Sequence, residues 1–377
     1  MKLRLPWRSE AKDVAFGSTA MAALLAALGG GPTKSGATVN AQTALQVSAV
    51  LACVRVIAEA IGGRPCIFLA GLYRAEQSIA ARIRSLVHGP LPWPEIDADK
   101  AIPWVEQKTG LSLADGQKTA VRAALLSKVM VITGGPGVGK TTLVNSILRI
   151  LAAKKVDMLL CAPTGRAAKR LAETTGREAR TIHRLLEVDP KNGAFKRNED
   201  KPLDCDLLVV DETSMVDVLL MNALLKAVSD RSAVIFVGDV DQLPSVGPGQ
   251  ALADIIASGA VPVVHLTEVF RQAAESQIIQ SAHRINRGTL PDLSRPDGDT
   301  DFYFVHTDRP EIAAGRLIHL VKERIPARFG VDPKRDIQVL CPMNRGGIGA
   351  RSLNVDLQKA LNPRLEPRIE KFGTTFA

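Results

Sequence analysis

The chain has 377 residues, of which 46% are hydrophobic, 23% charged and only 4% aromatic. That balance excludes a disordered chain, and the length allows two or three domains around a largely aliphatic core. Lys and Arg outnumber Asp and Glu by 48 to 39, and the resulting charge of +9 suits a polyanionic partner without naming one.

The first 31 residues are rich in Ala and Gly. The apolar run AMAALLAALG (20–29) is shorter than the roughly 20 residues a bilayer span needs, so no membrane partner is expected and the run reads as a soluble helix. Residues 41–62 set Leu45, Val50, Val54, Ile57 and Ile61 at helical spacing, which predicts a helix ended by Gly62-Gly63. A second helix is expected over 75–86. The segment HGPLPWP (88–94) follows, and its three prolines read as a linker.

From residue 103 the pattern becomes regular. Apolar runs at 129–133, 158–162, 207–210, 233–237 and 261–266 alternate with amphipathic helical stretches. Runs that are apolar throughout suit strands of a parallel sheet covered on both faces, so the fold class is α/β with βαβ units. Residues 187–204 are polar and read as a surface excursion. A second α/β pattern begins near Phe302, with a strand over 336–342 and a helix from Ala350. The five cysteines, at 53, 66, 161, 205 and 341, show no CxxC spacing. They suggest neither a zinc site nor a disulfide framework, and a reducing, cytoplasmic setting is the simpler reading.

The sequence GGPGVGKT (134–141) satisfies G-x-x-x-x-G-K-[ST] and lies between a predicted strand and a predicted helix. Gly135, Pro136, Gly137, Val138 and Gly139 would curl the backbone so that several N–H groups face a β-phosphate. Lys140 would reach the β- and γ-phosphates, Thr141 would offer its hydroxyl to Mg²⁺, and Thr142 follows in the same helical turn. The run LLVVDE (207–212) is the matching partner. A strand delivers two carboxylates to the sheet edge, Asp211 for Mg²⁺ and Glu212 to orient and polarise water. These residues point to nucleotide binding with Mg²⁺ and phosphoryl transfer to water.

The run VGDVDQLPSVG (237–247) is not explained by a generic P-loop. It resembles motif III of superfamily 1 helicases, in particular the RecD/TraA-like 5′-to-3′ DNA helicases. Other segments resemble family motifs in the family's order. They are LSLADGQKTAV (111–121) with Gln117, APTGRAA (162–168), TIHRLL (181–186), LTEVFRQ (266–272), QVLCPM (338–343) and Leu353-Asn354. The resemblance covers about residues 69–377 and implies a RecA-like P-loop NTPase fold with ATP as the nucleotide. It implies that Gln117 reads adenine, that Gln242 senses the γ-phosphate and that Arg271 pairs with it. It further implies that Pro163, Thr164, Gly165, Arg166, Thr181 and His183 touch the backbone of single-stranded DNA. The residues alone leave other readings open. Gln117 could be a helix-surface residue, Arg166 a solvated helix-start residue and His183 a core histidine.

On this likeness the chain ends inside a second RecA-like lobe, which puts full unwinding activity in question. Residues 38–65 resemble instead an early helix of tailed-phage portal proteins. The expected organisation is a helical N-terminal segment (1–68), a helix and Pro-rich linker (69–102), a first RecA-like lobe (103–292) and the start of an incomplete second lobe (293–377).

Overall fold

All five apolar runs become strands of one parallel sheet. The computed structural model describes residues 56–61, 64–191, 193–268, 276–294, 298–362, 369–371 and 374–376; only the backbone is described at 56–61, 64–67, 371 and 374–376. The chain forms two units, Met1–Leu290 and Pro291–Ala377.

The first unit opens with an antiparallel pair, β1 (Val56–Ile61) and β2 (Arg64–Leu69). This corrects the helix expected over 41–62, and with it the portal-like helix, wherever these residues are described. Val56, Ile57 and Ile61 are β-branched, so strand propensity wins over a helical spacing of apolar residues. Residues 41–55 and the run 20–29 lie outside the described residues.

Helix α1 (Ala70–Val87) then leads through the proline-rich stretch to α2 (Ala98–Thr109) and α3 (Asp115–Leu126). The main sheet uses β3 (Val129–Gly134), β4 (Met158–Ala162), β5 (Ala179–Thr181), β6 (Leu207–Val210), β7 (Ala233–Gly238) and β8 (Val263–Leu266). Its order is β5-β4-β6-β7-β3-β8, with every pairing parallel. Crossover helices α4 (Lys140–Ala153), α5 (Gly165–Thr175), α7 (Val218–Ala227) and α8 (Ala251–Ser258) connect the strands; the short α6 (Ile182–Leu185) follows β5 directly.

Strand alternation divides the core between the two faces of the sheet. Val129, Val131, Leu208, Val210, Val234 and Phe236 pack with α1, α7 and α8. Met130, Ile132, Leu207, Val209, Ile235 and Val237 pack with α2, α3 and α4. Both faces are dry, which is why the runs are apolar without interruption. Helix α1 therefore belongs to the core of this lobe. Its Arg82 pairs with Asp230 and also donates to the carbonyl oxygens of Leu225 and Val228. The proline-rich stretch runs across the lobe. Trp93 is buried, with its Nε1–H on Leu125 O at 3.1 Å, and buried Lys128 bonds Pro90 O at 2.7 Å and Asp230 O at 2.6 Å.

The second unit holds α10 (Pro310–His319), a π-helical turn (Leu320–Arg324), α11 (Ile325–Phe329) and α12 (Ala350–Leu361). It also holds an antiparallel pair, β9 (Ile369–Lys371) and β10 (Thr374–Phe376). The helix expected from Ala350 is present. The strands expected near Phe302 and over 336–342 are not, because both stretches lack regular structure. Within the described residues 298–362 they have no strand beside them to accept their backbone hydrogen bonds. Arg328 instead lies over the Tyr303 and Phe329 rings, 5.6 and 5.7 Å from their centroids.

Candidate nucleotide site and nucleic-acid edge

Because every strand of the main sheet runs the same way, the loops that follow them gather at one edge, the usual ligand position in open α/β sheets. The phosphate loop leaves β3. Gly137 and Gly139 have φ of 78° and 74°, left-handed values that a side chain would resist. A Cβ on Gly134 would meet Leu266 O at 2.5 Å, so the loop lies tight on the neighbouring strand end. Lys140 folds back over its own loop and donates from Nζ to the carbonyl oxygens of Gly134 (2.5 Å) and Gly135 (2.9 Å). Thr141 and Thr142 occupy the first turn of α4, and the Thr142 carbonyl accepts the Ser146 hydroxyl at 3.1 Å.

Gln117 is buried, which removes the helix-surface reading. Its Oε1 accepts from Ala114 N at 3.1 Å, closing the start of α3, and its Nε2 lies 3.5 Å from the carbonyl oxygens of Val138 and Gly139. Sequence proximity does not link Gln117 to the phosphate loop; the packing of α3 beside α4 does.

The carboxylates leave β6. Asp211 Oδ1 accepts the Glu212 N–H at 2.9 Å, and Asp211 donates its own N–H to Cys161 O. Glu212 has φ 49° and ψ 41°, a left-handed conformation that costs a side-chain-bearing residue about 1–3 kcal/mol and is held by the surrounding fold. Burial pushes the Asp211 carboxyl above its ordinary value of 3.8, against a bond from Glu212 N–H and the charges of Lys140 and Arg170. Burial, and then Asp211, push Glu212 above 4.5, again against Lys140 and Arg170. One Glu212 oxygen, Oε2, is buried with no hydrogen-bond partner, as are Thr133 Oγ1 and Ser214 Oγ.

Beyond β7, buried Asp239 accepts from Gln242 Nε2 at 3.2 Å and from Asp241 N at 3.1 Å. Its charge also acts on Glu212. Gln242 is thus connected to the acid pair through Asp239, to which the sequence reading gave no role although a carboxylate closing an apolar strand was visible there. Arg170 is a second omission. It sits on α5, one turn beyond Arg166, and only the fold turns it towards the carboxylates. Arg271 lies outside the described residues.

The residues suggested for DNA lie on two adjacent strand ends. Ala162 pairs with Thr181 across β4 and β5, so the Pro163-Thr164 step and Thr181 are neighbours. Both threonines cap helices: Thr164 Oγ1 accepts from Ala167 N at 3.2 Å and Thr181 Oγ1 from Arg184 N at 3.3 Å. Gly165 and Arg166 are exposed. His183 is exposed, not a core residue, and its ring lies 5.7 Å from that of Phe195 in the polar excursion.

A glycine cradle, an ammonium group, a threonine hydroxyl and an acid pair with one unsatisfied buried oxygen fit a nucleoside triphosphate and a hard divalent cation. Thr141 and Asp211 are the oxygen donors that would hold the cation. Among the described residues no helix is long and apolar enough to cross a membrane, and no cluster of three His, Cys, Asp or Glu side chains could hold a metal by itself.

Residues 117–248 match the family model described as AAA domain. Over 301 residues the chain is 37% identical to the ATP-dependent RecD2 DNA helicase of Deinococcus radiodurans, covering 80% of this chain and 39% of that protein. Over 259 residues it is 34% identical to the RecBCD enzyme subunit RecD of Mycobacterium tuberculosis, covering 62% of this chain and 42% of that protein. The chain thus spans well under half the length of these two relatives. A crystal structure of Pif1 helicase from Candida albicans matches at 23% identity and a TM-score of 0.39, over 55% of each chain. The RecA-like α/β assignment rests on the strand order and parallel pairing instead. With its motifs at one edge of that sheet and its sequence relatives in view, the chain is a relative of the RecD-like superfamily 1 helicases.

Proposed function

We propose that this chain carries the ATP-hydrolysing lobe of a DNA helicase motor, with residues 103–292, together with helix α1 packed on their sheet, as the first RecA-like lobe and single-stranded DNA as the polymer it acts on. The observation that carries this reading is the placing of the phosphate loop and the acid pair at one sheet edge: the first follows β3 and the second β6, with β7 parallel between them. Lys140 leaves its two loop carbonyls for the phosphates. Thr141 and Asp211 hold Mg²⁺, which when bound supplies positive charge to the phosphate oxygens. Glu212 orients water and, in its ionised form, accepts its proton. Gln242, tied through Asp239, relays phosphate state, and Arg271 adds charge at the γ-phosphate. Gln117 reads adenine. Pro163, Thr164, Gly165, Arg166, Thr181 and His183 lie along the DNA path, supported by their adjacency on β4 and β5. The 5′-to-3′ direction follows the family likeness to RecD proteins.

A second reading is nucleotide hydrolysis without unwinding. It is favoured by the lack of any strand among the described residues 298–362, where a second RecA-like lobe would need a sheet. One experiment separates the two. ATP hydrolysis is measured with and without single-stranded DNA, beside strand separation of a tailed duplex. Stimulated hydrolysis with unwinding is expected from the motor, and stimulated hydrolysis alone from the second reading. Turnover equal to that of Lys140→Ala overturns both.

A further inference from the structure

Helix α9 (Gln277–Asn286) is capped by Ser276, whose hydroxyl accepts from Ile279 N at 3.2 Å, and carries His283 in its last turn. That ring lies on the phosphate loop. A Cβ built on Gly135 would stand 3.3 Å from His283 Cε1, so a side chain there would press on the imidazole. Nε2, one bond from that carbon, is buried and has no hydrogen-bond partner. Buried side-chain nitrogens are nearly always paired, and an imidazole nitrogen either donates or accepts.

The surroundings select the partner. The loop carbonyl oxygens of Gly134 and Gly135 accept from Lys140, and neither is a partner of His283 Nε2. The loop otherwise presents peptide N–H groups and the start of α4, both of which favour an anion. An oxygen of such an anion is an acceptor, and an imidazole N–H is its complement. The geometry points to His283 as a nucleotide-contacting residue, its Nε2–H donating to a phosphate oxygen of a bound nucleoside di- or triphosphate. This rests on the nucleotide reading of the loop and adds a residue outside both the phosphate-loop and acid-pair motifs. The contact is to the phosphate chain, so it discriminates ADP and ATP from adenosine and leaves base recognition unchanged.

The test is displacement of a fluorescent ADP analogue from the purified full chain by ADP and by adenosine, with melting temperatures recorded for each variant. His283→Ala is expected to weaken ADP about tenfold, the loss of one hydrogen bond to a charged group, with adenosine unaffected. His283→Gln keeps a side-chain N–H and should recover part of the loss, which a merely packing role would not. In wild type, ADP but not adenosine should shift the His283 imidazole resonance, a measurement that stands even where the alanine variant unfolds. Equal ADP affinity in wild type and a folded His283→Ala, or an unmoved His283 resonance on saturation with ADP, overturns the assignment while nucleotide binding stands. Equal ADP binding by wild type and Lys140→Ala overturns the nucleotide reading itself, and the assignment with it.

Discussion

Strand-like sequence occurs in both units, yet only the first turns its apolar runs into a parallel sheet. In the first, Val131, Ile132 and Phe236 lie in strands and are fully buried. In the second, DFYFV (301–305) and IQVLC (337–341) have the same β-branched and aromatic character, but Phe304 and Val305 are 47% exposed and Leu340 is 84% exposed. The side chains do not explain the difference. Strands β3, β4, β6 and β7 each have a hydrogen-bonding neighbour on either side, whereas the two stretches in the second unit have none among the described residues. A strand is a property of a set of segments, and catalysis at a strand end inherits that requirement.

The largest expected effects lie where the sheet places charge. Lys140→Ala should lower ATP turnover about 10²–10³-fold, the usual effect of deleting one donor aimed at developing charge. Glu212→Gln should lower turnover about 10²–10⁴-fold while leaving nucleotide binding nearly intact, since it removes a proton acceptor and not a phosphate ligand. Single-turnover hydrolysis beside equilibrium binding checks both. Undiminished turnover in Glu212→Gln would move the base elsewhere, and buried Asp239 would be the next carboxylate to examine.

What the sequence discloses follows from the same contrast. Five of the six strands of the main sheet are legible because burial on both faces forces uninterrupted apolar runs; β5, three residues long and partly exposed, leaves no such run. The phosphate loop and acid pair were legible because glycine, lysine and paired carboxylates at strand ends have few other uses. The strand pair 56–61 and 64–69 is not legible in the sequence, since apolar residues at positions 50, 54, 57 and 61 mimic a helical spacing. His183 and Gln117 could not be assigned between surface and interior, because that depends on Phe195 and on the packing of α3 beside the phosphate loop. Arg170, Asp239 and His283 reach the site through tertiary structure. Only Asp239 left a local mark, a carboxylate closing an apolar strand.

A pair of core substitutions tests the comparison directly. Phe236→Ala, at a fully buried ring in the centre of the sheet, should destabilise the first unit by about 3–5 kcal/mol. Leu340→Ala, at a side chain 84% exposed, should change stability by no more than about 0.5 kcal/mol. Denaturant melts of the two variants would show it. A comparable loss at Leu340 would mean that the second unit buries this residue in solution, and that the contrast between the units is one of degree.

The smallest effect is a pH dependence at Glu212. Burial, then the Asp211 charge, hold this carboxyl above 4.5, so the folded chain binds the proton more tightly than the unfolded one. The associated stability is fully present below the ordinary value and is lost as pH rises through the raised one. Glu212→Gln cannot ionise and escapes that loss. Thermal melts of wild type and variant should therefore nearly coincide in acid, separate in the variant's favour as pH climbs above the ordinary value, and keep a constant gap once pH lies above the raised one. The same proton governs catalysis with opposite benefit: wild-type turnover should fall as pH drops through the interval in which the stability gap closes, because a protonated Glu212 accepts nothing from water. Coincidence of the two transitions would identify the residue that weakens the first unit as the one that makes it work, whereas a gap that widens in acid would mean that the positive charges of Lys140 and Arg170 outweigh burial and hold this carboxyl below its ordinary value.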